Sequence, residues 1–327
     1  MKGWQLEAAT GIEALALCEL PVPVPGPGEV LIEVHACGLN FSDLLMAAGS
    51  YQVRPSLPFV PGQEIAGRVV AVAPGAARKA GERVATKVTW GGFAEFAVAR
   101  EDMLITLPAA MSLAAGATLP VVWPTAWIAL FERAALAAGE HVFVHAAAGA
   151  VGNAAVQLAR AAGAVVIAGV GDLVKAPLAL AAGAAHVVST AAPDWTRAVN
   201  DLSGGRGVDV VFDPVGGDAG AASLRCLARG GRHLIVGFAS GALPRLAANR
   251  LLLKNASALG VYWSHEHDGP LIARALKAIL ELRAAGSVVI DAARVVRFDR
   301  LKAALDDLAA RRTTGKCVLA VKEEMRT

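Results

Sequence analysis

The chain has 327 residues, of which 55% are hydrophobic and 18% charged, so it is read as a globular protein able to fill the cores of two domains. A net charge of +3 argues against a nucleic-acid surface unless basic residues cluster, and the longest basic run is the pair Arg311 and Arg312. The four cysteines, Cys18, Cys37, Cys226 and Cys317, are scattered without metal-ligand spacing, which suits a reducing cytoplasm.

The opening segment, MKGWQLEAATGIE, has acidic residues and no continuous apolar core, and is read as neither a secretory signal nor a transit peptide. Short strands punctuated by turns then fill the first hundred residues: PVPVPGPGEVLIEVHACGLN, IAGRVVAVAPGA, GERVATKV and WGGFAEFAVAR. These predict a partly closed β-barrel. Residues 103–131 carry no charge and could span a bilayer by length. Pro108, Pro120 and Pro124 would break such a helix, while Ser112, Thr118 and Thr125 interrupt its apolar character. The segment is therefore read as a buried connection between two domains, with no membrane partner.

From about Leu113 strands and helices alternate, with strands predicted near 141–145, 165–170, 208–213 and 233–237. This rhythm builds a parallel sheet with helices on both faces. The most informative stretch is EHVFVHAAAGAVG, residues 140–152, followed by the amphipathic NAAVQLARAAGA. It reads as strand, tight turn and helix, and a second strand, AVVIAGVG, follows at 164–171. Unsatisfied helix N-terminal amides and the helix dipole favour a pyrophosphate over such a turn. The dinucleotide fingerprint falls on Ala147, Gly149 and Gly152, with alanine in place of the first glycine. Its candidate phosphate-binding backbone is Gly149, Ala150, Val151 and Gly152. An ordinary βαβ unit without a ligand is the competing reading, and the strand-turn-helix context favours the cofactor.

Cofactor choice is read at the end of the second strand. NAD enzymes present a carboxylate there for the ribose hydroxyls, whereas this chain has Val170 and Gly171, with Lys175 shortly after. A small residue leaves space and the lysine supplies charge for a 2′-phosphate, which favours NADPH. Asp172 competes with that reading, since a one-residue shift would put it at the acidic position.

A further strand is predicted at 258–262 and a helix at 270–285. The terminal TGKCVLAV reads as a strand returning to the first domain. The expected organisation is a catalytic domain of residues 1–115, completed by 264–327, with a dinucleotide-binding domain at 116–263 inserted in it. Ligands are expected at the carboxyl ends of the parallel strands.

At this point the chain resembles the zinc-independent quinone oxidoreductase, or zeta-crystallin-like, branch of the medium-chain dehydrogenase/reductases. The likeness rests on GLNFSDLLMAAGSY, LPFVPGQEIAGRVVAV, PTAWIAL, GEHVFVHAAAGAVGNAAVQLARAAGA and TGKCVLAV, and covers essentially the whole chain. It implies an α/β fold: a doubly wound Rossmann-type parallel sheet plus a GroES-like, partly closed β-barrel catalytic domain. Zinc-dependent members place a cysteine where this chain has Asn40, and a histidine where Gly62-Gln63-Glu64 has Gln63. Neutral amides are poor zinc ligands, so no metal is expected. Hydride transfer to a quinone or enone needs little beyond apposition to the nicotinamide.

The resemblance also implies site residues. Tyr51 lies where related enoyl-thioester reductases carry a catalytic tyrosine and quinone reductases a tyrosine near the nicotinamide; it is read either as a proton donor or as a pocket wall. Asn40 is expected to present its amide near the nicotinamide ribose. Asp43 is read as capping the helix begun by SDLLMAA. Thr125 would open a helix facing the nicotinamide. Thr190, then Gly237, Phe238 and Ala239, then Gly260, Val261 and Tyr262, would supply further cofactor contacts from strand ends. His265 and His267 are read as surface residues, and Trp123, Trp127 and Trp263 as candidate pocket walls, with at least one in the core.

The function expected is an NADPH-dependent reductase of quinones or related enones, in a cytoplasmic homodimer whose partner is a small molecule. The alternatives kept open are an enoyl-thioester reductase and a non-catalytic structural or RNA-binding relative.

Overall fold

The computed structural model describes residues 1–322, which divide into two compact units. The first is residues 1–121 together with the stretch from 290 onward; the second is 122–289.

The first unit begins with β1 (Lys2–Leu6) and β2 (Leu15–Glu19), an antiparallel pair. The sequence pattern predicts no strand here, because β2 buries only Leu15 and its alternation is faint. Next, β3 (Glu29–Gly38) leads into α1 (Phe41–Ala47). The expected strand around PVPVPGPGEVLIEVHACGLN thus begins only at Glu29, since the prolines before it have no N–H for a ladder. After α1 come β4 (Glu64–Val72), β5 (Arg83–Lys87), β6 (Phe96–Arg100), β7 (Ile105–Thr106) and α2 (Leu113–Gly116). β3 is the spine, pairing antiparallel with both β4 and β6, and its Val30, Ile32 and Val34 are buried in one core with Ile65 and Phe93.

The second unit opens with α3 (Val122–Trp127), which continues as a π-helical stretch, Ile128–Arg133. The alternation then runs β8 (His141–Val144), α4 (Ala150–Ala161), β9 (Val165–Val170), α5 (Ala176–Ala181), β10 (His186–Ser189) and α6 (Trp195–Leu202). It ends with β11 (Val208–Asp213), α7 (Gly217–Ser223), β12 (Leu227–Ile235), α8 (Ala248–Lys254), β13 (Ser257–Gly260) and α9 (His265–Ala284). The strands form one six-stranded sheet in the order β10-β9-β8-β11-β12-β13, every pairing parallel. That order is the doubly wound dinucleotide-binding one, and the strand sequence reverses direction beside β8.

The chain then returns to the first unit through β14 (Arg294–Arg297), α10 (Leu301–Ala309) and β15 (Cys317–Ala320). As TGKCVLAV foretold, β15 joins the first sheet, antiparallel to β3 and parallel to β14. The expected division at 115/116 and 263/264 is corrected to 121/122 and 289/290. α9 packs on α3, and the Gln157 side chain holds both the N–H and the carbonyl of Val289, at 2.7 and 3.2 Å. These contacts keep residues 264–289 with the parallel sheet.

α9 also starts earlier than the predicted 270. Ser264 Oγ accepts from His267 N–H, and the chain kinks at Asp268 before Pro270 opens the main helix. Among the described residues no helix is long and apolar enough to cross a membrane; residues 103–131 break into β7, α2, α3 and the start of the π-helical stretch.

Candidate functional site

The second unit carries the expected strand, glycine turn and helix. β8 is buried along Val142, Phe143 and Val144, and the chain reverses at Ala146, whose φ is 48°. Because the left-handed residue is Ala146, position 147 needs no glycine, which accounts for the alanine in the fingerprint. Ala147 N–H bonds Gly169 O at 3.0 Å and Gly149 N–H bonds Ala146 O at 2.8 Å, closing the turn. Gly149 is the N-cap of α4, so the N–H groups of Ala150, Val151 and Gly152 precede the helix's own bonding. At Gly152 a Cβ would collide with the Ala146 carbonyl, so glycine is what lets α4 pack onto the turn.

At the end of β9, Val170 is buried and Gly171 is open, with no atom within 4 Å of where its Cβ would stand. Asp172 turns to its own short helix, accepting Val174 N–H at 3.0 Å, and Lys175 follows on that same turn. Thr190, just past β10, binds Val170 O through both its N–H, at 2.8 Å, and its hydroxyl, at 3.2 Å. The lining at the carboxyl end of β9 is therefore small and open, with one oxygen of the Asp172 carboxylate engaged in a cap.

Gly237, Phe238 and Ala239 follow β12 and are zipped to the loop after β11. Val236 and Gly237 donate to Asp213 O at 2.9 and 3.3 Å, and Ala239 donates to Pro214 O at 3.0 Å. Asp213 is the hub. Its Oδ1 accepts from Val215 and Gly216, both at 2.9 Å, and its Oδ2 faces His233 Nε2. Burial raises this carboxyl, but the His233 hydrogen bond, the neighbouring imidazoles and the Gly216 N–H outweigh burial and hold it below the usual range. Behind them His145 Nε2 meets Ser223 Oγ at 2.6 Å, and burial pushes that imidazole down to about 4, so it is neutral.

Gly260 ends β13, with its carbonyl held by Arg133 at 3.0 Å; Val261 N–H bonds Ile235 O at 3.0 Å, and Tyr262 is exposed. Thr125, on α3, accepts from Trp263 Nε1 at 3.0 Å. The topology thus brings Gly149–Gly152, Gly171, Lys175, Thr190, Gly237–Ala239 and Gly260–Tyr262 to the carboxyl ends of one sheet. Trp123 and Trp263 are buried, and Trp127 is half-buried against Phe131. His267 is exposed, its Nδ1 meeting Ser264 Oγ at 3.0 Å. Among the described residues no group of three or more His, Cys, Asp or Glu is placed to hold a metal ion.

The first unit gathers the remaining candidates around the start of α1. Asn40 is its N-cap and Asp43 its third residue, whose Oδ2 accepts Asn40 N–H at 2.8 Å, as the capping reading expected. Asp43 is buried, Oδ1 has no partner among the described residues, and burial pushes its carboxyl up to about 7. Tyr51 is half-buried against the core of this unit.

The Asn40 amide is committed. Nδ2 donates to Glu64 Oε1 at 3.0 Å and to Gly38 O at 3.3 Å, and Oδ1 accepts from Lys316 Nζ at 2.7 Å. Gln63 is likewise buried and accepts from Ser42 Oγ. Sequence reasoning missed Lys316, which forms a buried ion pair with Glu64, and the hub of Asp213 and His233. The available signals were a lysine inside the apolar TGKCVLAV and an aspartate closing the apolar VDVVFD.

A sheet of this order with an open glycine turn at its switch point, joined to a separate barrel-like unit, defines a nicotinamide-dependent oxidoreductase. Residues 26–109 match the alcohol dehydrogenase GroES-like domain, and residues 150–278 match the zinc-binding dehydrogenase domain. The chain is 39% identical over 306 residues to quinone oxidoreductase-like protein 2 of Bos taurus, covering 92% of this chain and 87% of that protein. The quinone oxidoreductase of Thermus thermophilus, solved also in complex with NADPH, aligns with a TM-score of 0.83 and 36% identity over 98% of this chain and 100% of that one. That of Pseudomonas syringae pv. Tomato aligns with a TM-score of 0.90 and 30% identity, covering 98% and 99%. The chain belongs to the zinc-independent quinone oxidoreductase branch of the medium-chain dehydrogenase/reductase superfamily, and is an enzyme of that type.

Proposed function

We propose that the protein transfers hydride from NADPH to a quinone or a related electron-poor enone without a metal. The observation that carries this reading is the commitment of the two amides at the family's zinc-ligand positions. Asn40 is held by Lys316 and Glu64, and Gln63 by Ser42, so the cluster already contains its own cation. When bound, the nicotinamide supplies the hydride, and a solvent proton completes the reduction of a quinone to a hydroquinone. The chain's part is to bind and orient.

For the cofactor, the α4 amides after Gly149 would hold the pyrophosphate, and the loops at Thr190, Gly237–Ala239 and Gly260–Tyr262 the remainder, with Thr125 toward the nicotinamide. Preference for NADPH rests on the open Gly171, on Lys175 as the 2′-phosphate partner, and on Asp172 turning one carboxylate oxygen to a cap. For the acceptor, Tyr51 donates a hydrogen bond to the oxygen that gains charge, while Asn40 lies near the nicotinamide ribose.

We further infer a homodimer in a reducing cytoplasm, with a small-molecule acceptor and neither nucleic acid nor membrane as partner. β13 is an edge strand of a buried-type parallel sheet, and beside it Leu252, Leu253 and Tyr262 are exposed by 75, 74 and 75%. A second copy pairing edge to edge would cover them.

The test follows oxidation of NADPH and NADH in parallel against quinones, enals and enoyl thioesters, with zinc content and solution mass measured on the same preparation. Turnover of quinones or enals by zinc-free protein, faster with NADPH, is expected. Turnover confined to enoyl thioesters, or lost on chelation of stoichiometric zinc, would sink the reading.

A further inference from the structure

The Lys316 ammonium has three N–H groups and three partners: Leu39 O at 2.9 Å, Asn40 Oδ1 at 2.7 Å, and the Glu64 carboxylate. Lys316 is 5% exposed and Glu64 fully buried. Glu64 is in turn fully used: Oε1 also accepts Asn40 Nδ2, and Oε2 accepts Val121 N–H at 3.0 Å. Only a glycine at position 38 leaves room for this carboxylate, because a Cβ there would meet Glu64 Oε1. The register secures the lysine independently, since Leu39 N–H bonds Cys317 O at 2.9 Å and β15 lies against β3.

A buried ion pair is weak evidence for a stabilising role, because desolvation of the two charges offsets most of their attraction. What it does supply here is direction. A carboxamide has an acceptor end and a donor end that differ little in shape. At Asn40 the acceptor end meets a cation and the donor end meets an anion, so rotating the amide by half a turn would set an NH2 group against the ammonium and an oxygen against the carboxylate. The hydrogens and the oxygen of the amide all have partners within the unit, the oxygen being shared between Lys316 and the capping box with Asp43, and Asn40 remains partly exposed.

We propose that Lys316 is a positioning residue for hydride transfer: paired with Glu64, it locks the Asn40 carboxamide in one orientation at the start of α1. This rests on the proposed role of Asn40 beside the nicotinamide ribose. Lys316 itself touches neither acceptor nor cofactor.

The experiment compares the unaltered protein with Glu64→Gln/Lys316→Met, so that both buried charges are removed together and no unpaired ion is left in the core. Two quantities are read in the full-length protein. The first is hydrogen exchange of the Asn40 side-chain amide, assigned by its loss in Asn40→Ala. Exchange should quicken by about tenfold or more when Lys316 is removed, the scale of one charge-assisted hydrogen bond. The second is the steady-state split: kcat for quinone reduction should fall by about tenfold while KM for NADPH holds, and adding Asn40→Ala should bring no further loss. Unchanged amide exchange would overturn the proposal, as would a kcat loss that adds in full to that of Asn40→Ala. Absence of any NADPH-driven reduction in the unaltered protein would instead retire the proposed function, and the exchange measurement would still decide whether Lys316 fixes Asn40.

Discussion

His233 Nε2 stands 3.2 Å from Asp213 Oδ2, with both side chains fully buried on neighbouring parallel strands. Through this pair the loops after β11 and β12 become one body, since Asp213 also takes four backbone N–H groups from residues 215, 216, 236 and 237. Asp213→Ala leaves two loop amides and an imidazole without their acceptor. A loss of roughly 3 kcal/mol in stability is expected, because each buried unsatisfied donor costs about 1–3 kcal/mol. Binding of the nicotinamide cofactor should weaken in parallel, as Gly237–Ala239 loosen. Urea unfolding with cofactor titration checks it, and wild-type values for both would show that the loops hold themselves.

Asp43 makes stability depend on pH. Its carboxyl is raised by burial from 3.8 to about 7, so between those values the folded chain holds a proton that the unfolded chain has lost. Its contribution to stability therefore falls as pH rises through that window. Asp43→Asn keeps an acceptor for Asn40 N–H and removes the titration. The stability of the variant relative to the unaltered protein should climb from about pH 4 to about pH 7 and level off above. A difference that stays flat over the range would assign Asp43 an ordinary ionisation.

Lys175→Ala should weaken NADPH more than NADH, because only NADPH offers a 2′-phosphate to the ammonium. A charge-assisted contact is worth about 1.5–3 kcal/mol, so the preference should drop by about tenfold or more in parallel dissociation constants. Equal losses for the two cofactors would return the choice to Asp172, whose second oxygen is not used by its cap at Val174.

Tyr51→Phe keeps the ring packed on the core of the first unit and removes only the hydroxyl. A quinone takes two electrons into an oxygen-centred anion that water protonates afterwards, whereas an enal accumulates enolate charge that gains from a placed donor. Enal turnover should fall by about 10²-fold or more, the scale of general-acid help, and quinone turnover by much less. Unchanged rates for both classes, with hydride transfer shown to limit them, would make Tyr51 a pocket wall.

The order of strands and helices in the second unit was legible because each apolar strand and amphipathic helix carries its own periodicity. Val165–Val170 and Val208–Asp213 fall on the residues expected. The return of β15 was legible from TGKCVLAV. Where local pattern is faint, the reading missed: the β1 and β2 pair is held by register with one buried residue on β2, and α9 is extended by a Ser264 cap that a following proline obscures.

The sequence by itself determined the glycine turn, the amides Asn40 and Gln63 and the family, all of which are written in short segments whose chemistry is local. Tertiary structure alone decided that Ala146 rather than position 147 takes the left-handed turn, that residues 264–289 stay with the parallel sheet, and that Lys316 reaches Asn40 across 276 positions. The physical reason is that an ion pair or a buried carboxylate is stable only where partners from distant strands converge to replace water. A lysine in an apolar strand announces that such partners exist, and only the sheet register says which they are.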